Sequence, residues 1–142
     1  MEPPVILLVA HADEDLYMLR FALLGRNLQC DLRRLEDGQE AIDYLNGTSQ
    51  YSDRETFPFP VATILDFKLP YRSGLDVLAW TRRNVSLKDH PVVMLGGPGH
   101  EIEQQRAAQL HATRCIPKST DWTALVDFLE TVLPRPSAAQ AA

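Results

Sequence analysis

The chain of 142 residues is poor in cysteine and contains no long apolar run. Cys30 and Cys115 are its only cysteines, and they form neither a Cys-x-x-Cys pair nor a metal-ligand spacing, so we expect two reduced thiols. No apolar stretch approaches the ~20 residues that cross a bilayer. Residues 1–4 also lack the basic region of a secretory signal. These absences predict a cytoplasmic protein without a membrane segment.

Positive charge is scarce as well. The chain has 14 Lys and Arg against 19 Asp and Glu, a formal net charge of -5. The pairs Arg33-Arg34 and Arg82-Arg83 are isolated, and we interpret both as parts of solvated faces. A nucleic-acid-binding domain would need a basic stripe, so we expect no nucleic-acid partner.

Short apolar runs alternate with amphipathic segments along the chain, and its length suits one domain, which we place at residues 1–133 with a flexible tail at 134–142. In the first predicted helix, Leu16, Phe21, Leu23 and Leu24 supply the expected inward face. Five strands alternating with five helices predict a doubly wound, three-layer α/β sandwich around a parallel sheet. The predicted strands are residues 5–9, 30–35, 61–66, 91–95 and 114–117.

One strand ends in a carboxylate. The run Val61-Ala62-Thr63-Ile64-Leu65 is followed by Asp66, and a turn with Pro70 comes next. Open parallel sheets bind ligands outside the carboxyl ends of their strands. The strand ends at residues 10–12, 66–68, 96–97 and 118–119 are therefore the candidate site.

Two loops are unusual. Residues 46–60 form a long polar connection, which we interpret as an extended crossing at the edge opposite Asp66. Gly96-Gly97-Pro98-Gly99 lacks the Gly-Lys that would complete a phosphate-cradling loop, so we interpret it as a mobile exit from the fourth strand that opens the site.

Together these motifs resemble the receiver domain of bacterial two-component response regulators, from residue 5 to about 133. The resemblance implies a flavodoxin-like sheet of strand order 2-1-3-4-5 and a phosphorelay partnership with a sensor histidine kinase. The long second crossing is similar to that of stand-alone receivers without a DNA-binding domain. The matching segments are Ile6-Leu7-Leu8-Val9, Ile64 to Pro70, Ser73 to Leu78, Pro91 to Leu95 and Ile116-Pro117-Lys118.

The resemblance also implies a chemistry. Asp66 stands at the position of the phosphoacceptor, a carboxylate nucleophile. Lys118 matches the lysine that pairs with the phosphoryl group. The receiver site uses Mg²⁺, with the phosphoacceptor as one ligand, and here Lys68 stands where a backbone carbonyl is another.

The chain departs from the receiver pattern at five positions. Ala10 and His11 replace the acidic pair that holds Mg²⁺, and Gly96 replaces a hydroxyl side chain. Cys115 stands where an aromatic switch residue is usual, and Ser119 replaces a proline. Because neutral imidazole is a poor Mg²⁺ ligand, we expect weak or absent Mg²⁺ binding and impaired phosphorylation.

Alternatives remain for the acidic residues and for His11. Asp13 and Asp15 could replace the acidic pair only through a longer loop, and we favour them as the acidic start of a helix. Asp66 could be retained as a stabilising ion pair with Lys118. His11 could be a soft-metal ligand or a pH-sensitive group, but we favour a loop residue that donates a hydrogen bond near Asp66.

We therefore predict an atypical single-domain response regulator that binds a partner, or forms a homodimer, through the surface at about residues 104–129. The alternative is a phosphorylation-independent pseudo-receiver that serves as an interaction or dimerisation module. An acid–base enzyme using Asp66 and His11 is disfavoured, since no further nucleophile or cofactor motif accompanies them. We expect Trp80 and Trp122 to serve packing, and Cys115 to be a small buried side chain.

Overall fold

Five parallel strands form one sheet at the centre of the computed structural model, which describes residues 3–96, 101–118 and 122–133. The strand order is β2-β1-β3-β4-β5, which confirms the predicted order. The edge strand β2 is only partly covered, whereas β1, β3 and β4 are buried along their length. The strands are β1 (Val5–Val9), β2 (Asp31–Leu35), β3 (Ala62–Asp66), β4 (Val92–Leu95) and β5 (Arg114–Ile116).

Helices cover both faces of the sheet. Alternate residues of β1 enter two separate cores: Leu7 packs with α2, α3 and α4, while Leu8 packs with α1 and α5. This confirms the three-layer α/β sandwich. The helices are α1 (Asp13–Gly25), α2 (Gly38–Asn46), α3 (Gly74–Arg83), α4 (Glu101–Gln109) and α5 (Thr123–Val132), with short 3₁₀ helices at Ser49–Tyr51 and Val85–Leu87.

The predicted inward face of α1 was correct for Leu16 and Leu23 but wrong for Phe21 and Leu24. Leu19 and Leu23 are buried, whereas Phe21 is 80% and Leu24 71% exposed. At about 100° per residue, Phe21 and Leu24 lie roughly 160° and 140° around the helix from Leu19, so both point away from the core. Leu16 is partly buried on the correct side.

The long connection between α2 and β3 is packed by aromatic rings. The Tyr51 centroid lies 4.9 Å from that of Tyr44 and 5.0 Å from that of Phe57. Arg54 donates hydrogen bonds to the carbonyls of Leu45 and Phe57, both at 3.2 Å. Because this connection leads into the start of β3, it lies at the edge opposite the end of that strand, in agreement with its structural interpretation.

A neutral polar pair is buried near the start of β3. Thr63 Oγ1 lies 2.8 Å from Nε2 of His90, a residue that is only 8% exposed. Burial, assisted by the nearby charge of Arg82, lowers the pKa of His90 to about 4. Arg82 also donates to the His90 carbonyl at 2.8 Å and to that of His111 at 3.0 Å. The interpretation of Arg82 as part of a solvated face was therefore wrong.

Among the described residues, no helix is long and apolar enough to span a membrane. Several predictions fall outside those residues: the mobile loop at Gly97-Pro98-Gly99, the replacement of proline by Ser119, and the flexible tail at 134–142.

Candidate functional site

Asp66 is the last residue of the central strand β3. The strand pairs with β1 on one side and β4 on the other, and Asp66 is in register with Leu95. This position leaves Asp66 only 8% exposed at the carboxyl edge of the sheet. The apolar, β-branched strand thus delivers a carboxylate where open α/β sheets place their ligands.

The loop after Asp66 folds back tightly onto the strand. The Gly74 N–H donates to the carbonyl of Phe67 at 3.0 Å. A Cβ on Gly74 would lie 2.0 Å from the backbone oxygen of Asp66, which only glycine avoids. Ser73 and Asp76 form a capping box that starts α3 here. The glycine eight residues after Asp66 therefore keeps the site compact.

Lys118 reaches Asp66 from the end of β5. Its backbone N–H donates to the Gly96 carbonyl at 3.2 Å, and the Gly96 N–H donates to the carbonyl of Ile116 at 3.1 Å. The Lys118 ammonium then donates to Asp66 Oδ2 at 2.9 Å. Lys68 follows Asp66 in the same edge loop and is exposed. The phosphoacceptor, phosphoryl-pairing and metal-binding roles of these side chains stay predictions.

Asp15 is a site residue that the sequence interpretation considered, together with Asp13, but disfavoured. It is only 6% exposed, and its Oδ2 lies 2.6 Å from the Lys118 ammonium. Asp15, Lys118 and Asp66 thus form a carboxylate–lysine bridge. Asp15 does belong to the acidic start of α1, as expected, but it also lies on the buried stripe with Leu19. That four-residue spacing was the signal that could have identified it.

The bridge keeps its lysine charged. Burial by itself would lower the pKa of Lys118, but hydrogen bonds and charge attraction from Asp15 and Asp66 outweigh it and raise the pKa. The bridge therefore holds two carboxylates and one ammonium, with a formal charge of about -1.

A second cation lies beside the loop after β1. Arg34 is half-buried and donates to the carbonyls of Ala10 at 3.2 Å and His11 at 3.1 Å. It also pairs with Asp13 and, at 3.2 Å, with Glu36. Its interpretation as a residue of a solvated face was therefore wrong. The loop where receivers carry an acidic pair here holds an exposed His11, an exposed Asp13 and a guanidinium.

These side chains do not fit a resident divalent ion. No three His, Cys, Asp or Glu side chains converge as metal ligands within residues 3–96, 101–118 and 122–133. The two carboxylates that do converge, Asp15 and Asp66, already share the Lys118 ammonium. Mg²⁺ requires several oxygen ligands in near-octahedral geometry.

Among the described residues between 104 and 129, which leave out 119–121, no large hydrophobic side chain is exposed. Arg114 lies over the Phe128 ring at 5.6 Å, and Cys115 is exposed. The prediction that Cys115 is a small buried side chain was therefore wrong. The reason is its place on the edge strand β5, of which only Ile116 is buried. The role of this surface in binding a partner stays a prediction.

Comparisons with known proteins give one consistent result. No protein-family model matches the chain. The response regulator Rcp1 of Synechocystis sp. (strain PCC 6803) is 30% identical over 130 residues, which cover 92% of this chain and 86% of Rcp1. The solved structure of the bacteriophytochrome response regulator AtBRR is 30% identical, with a TM-score of 0.79, and the match covers 97% of this chain and 99% of that one. The Mn²⁺-bound form of Rcp1 has a TM-score of 0.76 at 29% identity, covering 94% of this chain and 100% of the other.

Proposed function

The chain belongs to the response regulator family and has its receiver domain, and from this premise we propose that it is an atypical stand-alone receiver with Asp66 as phosphoacceptor. Its Mg²⁺-dependent phosphorylation is impaired, and it acts in signalling by binding other proteins rather than as an enzyme.

The observation that carries the proposal is the contact of 2.9 Å between the Lys118 ammonium and the Asp66 carboxylate at the carboxyl edge. An Asp66 oxygen attacks the phosphorus of a phosphodonor, the bond from phosphorus to the donor breaks, and an acyl phosphate forms. Lys118 then balances charge on the phosphoryl oxygens. Both groups are held in place by strand ends rather than by long loops.

The metal part of the proposal follows from the missing acids. Rcp1 has been solved with Mn²⁺, and a divalent ion in such a site neutralises charge on the phosphoryl oxygens. Here Ala10 and His11 replace the acidic pair, and Lys118 contacts both remaining carboxylates. We therefore propose Mg²⁺ binding that is weak or absent.

The partners follow from the relatives. Two solved relatives are named bacteriophytochrome response regulators, with 30% and 28% identity to this chain. We propose a sensor histidine kinase of phytochrome type as the phosphodonor, no nucleic-acid partner, and homodimerisation through α4, β5 and α5. A phosphorylation-independent pseudo-receiver is the second candidate, and it is favoured by the lack of converging metal ligands among the described residues.

Phosphorylation with acetyl phosphate and Mg²⁺, followed by intact-mass spectrometry, tests the proposal. We expect slow, partial modification of the native protein and none of Asp66→Asn. Rapid, stoichiometric modification would refute the impaired site, and complete absence of modification, even with the cognate kinase, would favour the pseudo-receiver.

Restoring the acidic pair at residues 10 and 11 tests the same proposal in the opposite direction, because it should increase Mg²⁺ binding and phosphorylation. The variant Ala10→Glu/His11→Asp should bind Mg²⁺ with a dissociation constant of about 1 mM or tighter, and should be modified faster than the native protein. Tryptophan fluorescence during Mg²⁺ titration measures the binding. Unchanged binding and rate would show that the loss of these acids is not what weakens the site.

A further inference from the structure

Lys118 contacts a second carboxylate that has no part in the proposed reaction. The ammonium contacts Asp15 at 2.6 Å, closer than its 2.9 Å contact with Asp66. The two carboxylates come from different elements, α1 and β3, and both belong to residues that are less than a tenth exposed. A single ammonium therefore joins the first helix to the central strand.

Asp15 does not serve as a helix cap. It is the third residue of α1, and Ala12 before the helix has no side-chain capping bond. The Asp15 carboxylate pairs with Lys118 instead. A buried carboxylate is strongly unfavourable without a counter-charge, so its position is explained by the ammonium and not by the helix terminus.

The charges of the bridge also oppose a divalent ion. A metal ion between Asp15 and Asp66 would have to displace Lys118 or lie close to it, and like charges at such distances repel strongly in a partly buried site. We infer that Asp15 is a positioning residue that holds Lys118 between the two carboxylates, so that the ammonium occupies the cation position of the site. The inference rests on the proposed function only in treating Asp66 as the reacting group.

Removal of the ammonium tests this directly. Without Lys118, Asp15 and Asp66 lose the ammonium that they share, and the two carboxylates should take up a divalent ion. In a Mn²⁺ titration followed by electron paramagnetic resonance of the free ion, we expect Lys118→Met to bind at least about tenfold tighter than the native protein. The double variant Lys118→Met/Asp15→Asn should return to the native level.

Two matched controls isolate the bridge. Asp13 lies two residues before Asp15 but is exposed and pairs with Arg34, so Lys118→Met/Asp13→Asn should keep the tighter binding. The exposed Lys88 serves as the control lysine, and Lys88→Met should bind Mn²⁺ as the native protein does. The inference is overturned if Lys118→Met binds no tighter than native, or if its gain survives Asp15→Asn.

A second readout applies to variants that retain the lysine, should Lys118→Met fail to fold. The Lys118 ammonium, held from two sides, should give a slowly exchanging ¹⁵N side-chain resonance. We expect Asp15→Asn to shift it and speed its exchange, Asp13→Asn to leave it unchanged, and Asp15→Glu to restore it partly. An unchanged resonance in Asp15→Asn would overturn the inference. No phosphodonor enters either experiment, so a protein that is never phosphorylated would refute the proposed function and leave these results intact.

Discussion

Strand β3 carries two buried polar side chains with different surroundings. Thr63, near the start of the strand, is fully buried against a neutral His90. Asp66, at the end of the strand, meets a charged Lys118 that is half-buried and also bound by Asp15. Thr63 thus has a neutral partner, whereas the partner of Asp66 is a charged lysine.

The two pairs serve different purposes: the pair of Thr63 and His90 stabilises the fold, whereas the pair of Asp66 and Lys118 holds groups that can react. When a neutral pair is buried, its hydrogen bonds to water are replaced by one hydrogen bond inside the protein. Removing one partner then leaves the other buried without a hydrogen bond, which is destabilising. A charged cluster at the strand end keeps partial access to water through Lys118 and holds groups that can react with a ligand. Its net contribution to stability is small, because the cost of removing the charges from water offsets their attraction. The start of β3 should therefore govern stability and its end should govern chemistry.

The largest expected loss of stability comes from adding a side-chain atom at Gly74, which packs against the backbone of Asp66. Gly74→Ala would place a Cβ 2.0 Å from the Asp66 backbone oxygen, and relief requires the backbone to move. We expect a loss of about 3 kcal/mol in the free energy of unfolding, measured by urea denaturation.

Gly25→Ala is the matched control, because a Cβ there meets nothing within 4 Å. It should be neutral or stabilising by up to about 1 kcal/mol. If Gly74→Ala and Gly25→Ala were equally stable, the close approach of Gly74 to the Asp66 backbone would not require glycine.

Because of His90, beside the start of β3, the free energy of unfolding should decrease at acidic pH. His90 has a folded pKa of about 4 against an ordinary value of 6.5, so the unfolded state binds more protons between these values. Stability is therefore full above pH 6.5 and falls as the pH is lowered towards 4, by about 3 kcal/mol in total.

His90→Gln removes this titration while keeping a polar partner for Thr63. The native protein should lose stability relative to His90→Gln as the pH falls, whereas the exposed His111→Gln should follow the native protein. Thermal unfolding at several pH values measures the difference. Parallel curves for native protein and His90→Gln would contradict a buried neutral His90.

A smaller effect is expected from the hydroxyl of the pair. Thr63→Val preserves shape but leaves His90 Nε2 without its partner, at a cost of about 1–3 kcal/mol. Thr81→Val is the matched control, since the buried Thr81 hydroxyl donates only to the Val77 carbonyl of its own helix. Chemical denaturation should rank Thr63→Val as the more damaging, and the reverse order would weaken the importance of the pair.

The smallest change in stability is expected at the end of the strand. Asp66→Asn keeps the shape, and Lys118 retains Asp15, so we expect a change within about 1 kcal/mol. The same denaturation experiment measures it. A loss of stability larger than that of Thr63→Val would mean that the bridge mainly stabilises the fold. The two ends of β3 would then not differ in the way proposed.

Much of the fold could be predicted because its signals are local. Asp37 caps α2 by accepting from the Glu40 N–H, and Gly47 ends that helix in a left-handed conformation; both residue types are typical of these positions. The apolar run before Asp66 is buried throughout. Such features depend on residues that are close in sequence, so they can be predicted without the tertiary structure.

The errors involve contacts between distant segments. Arg34 was assigned to solvent because nothing near it in sequence explains its burial, yet it binds the carbonyls of Ala10 and His11. Cys115 was assigned to the interior because cysteine is usually buried, yet an edge strand leaves it exposed. In both cases the environment is set by which strand lies next to which.

The amino-acid sequence by itself determined the alternating elements, the strand-end position of Asp66 and the receiver resemblance, since each depends on residue type and short spacing. Only the tertiary structure decided that Asp15 and Asp66 meet at Lys118. Those residues lie far apart along the chain, and the parallel order of β1, β3 and β5 with α1 brings their charges to one edge, where opposite charges must pair to be buried.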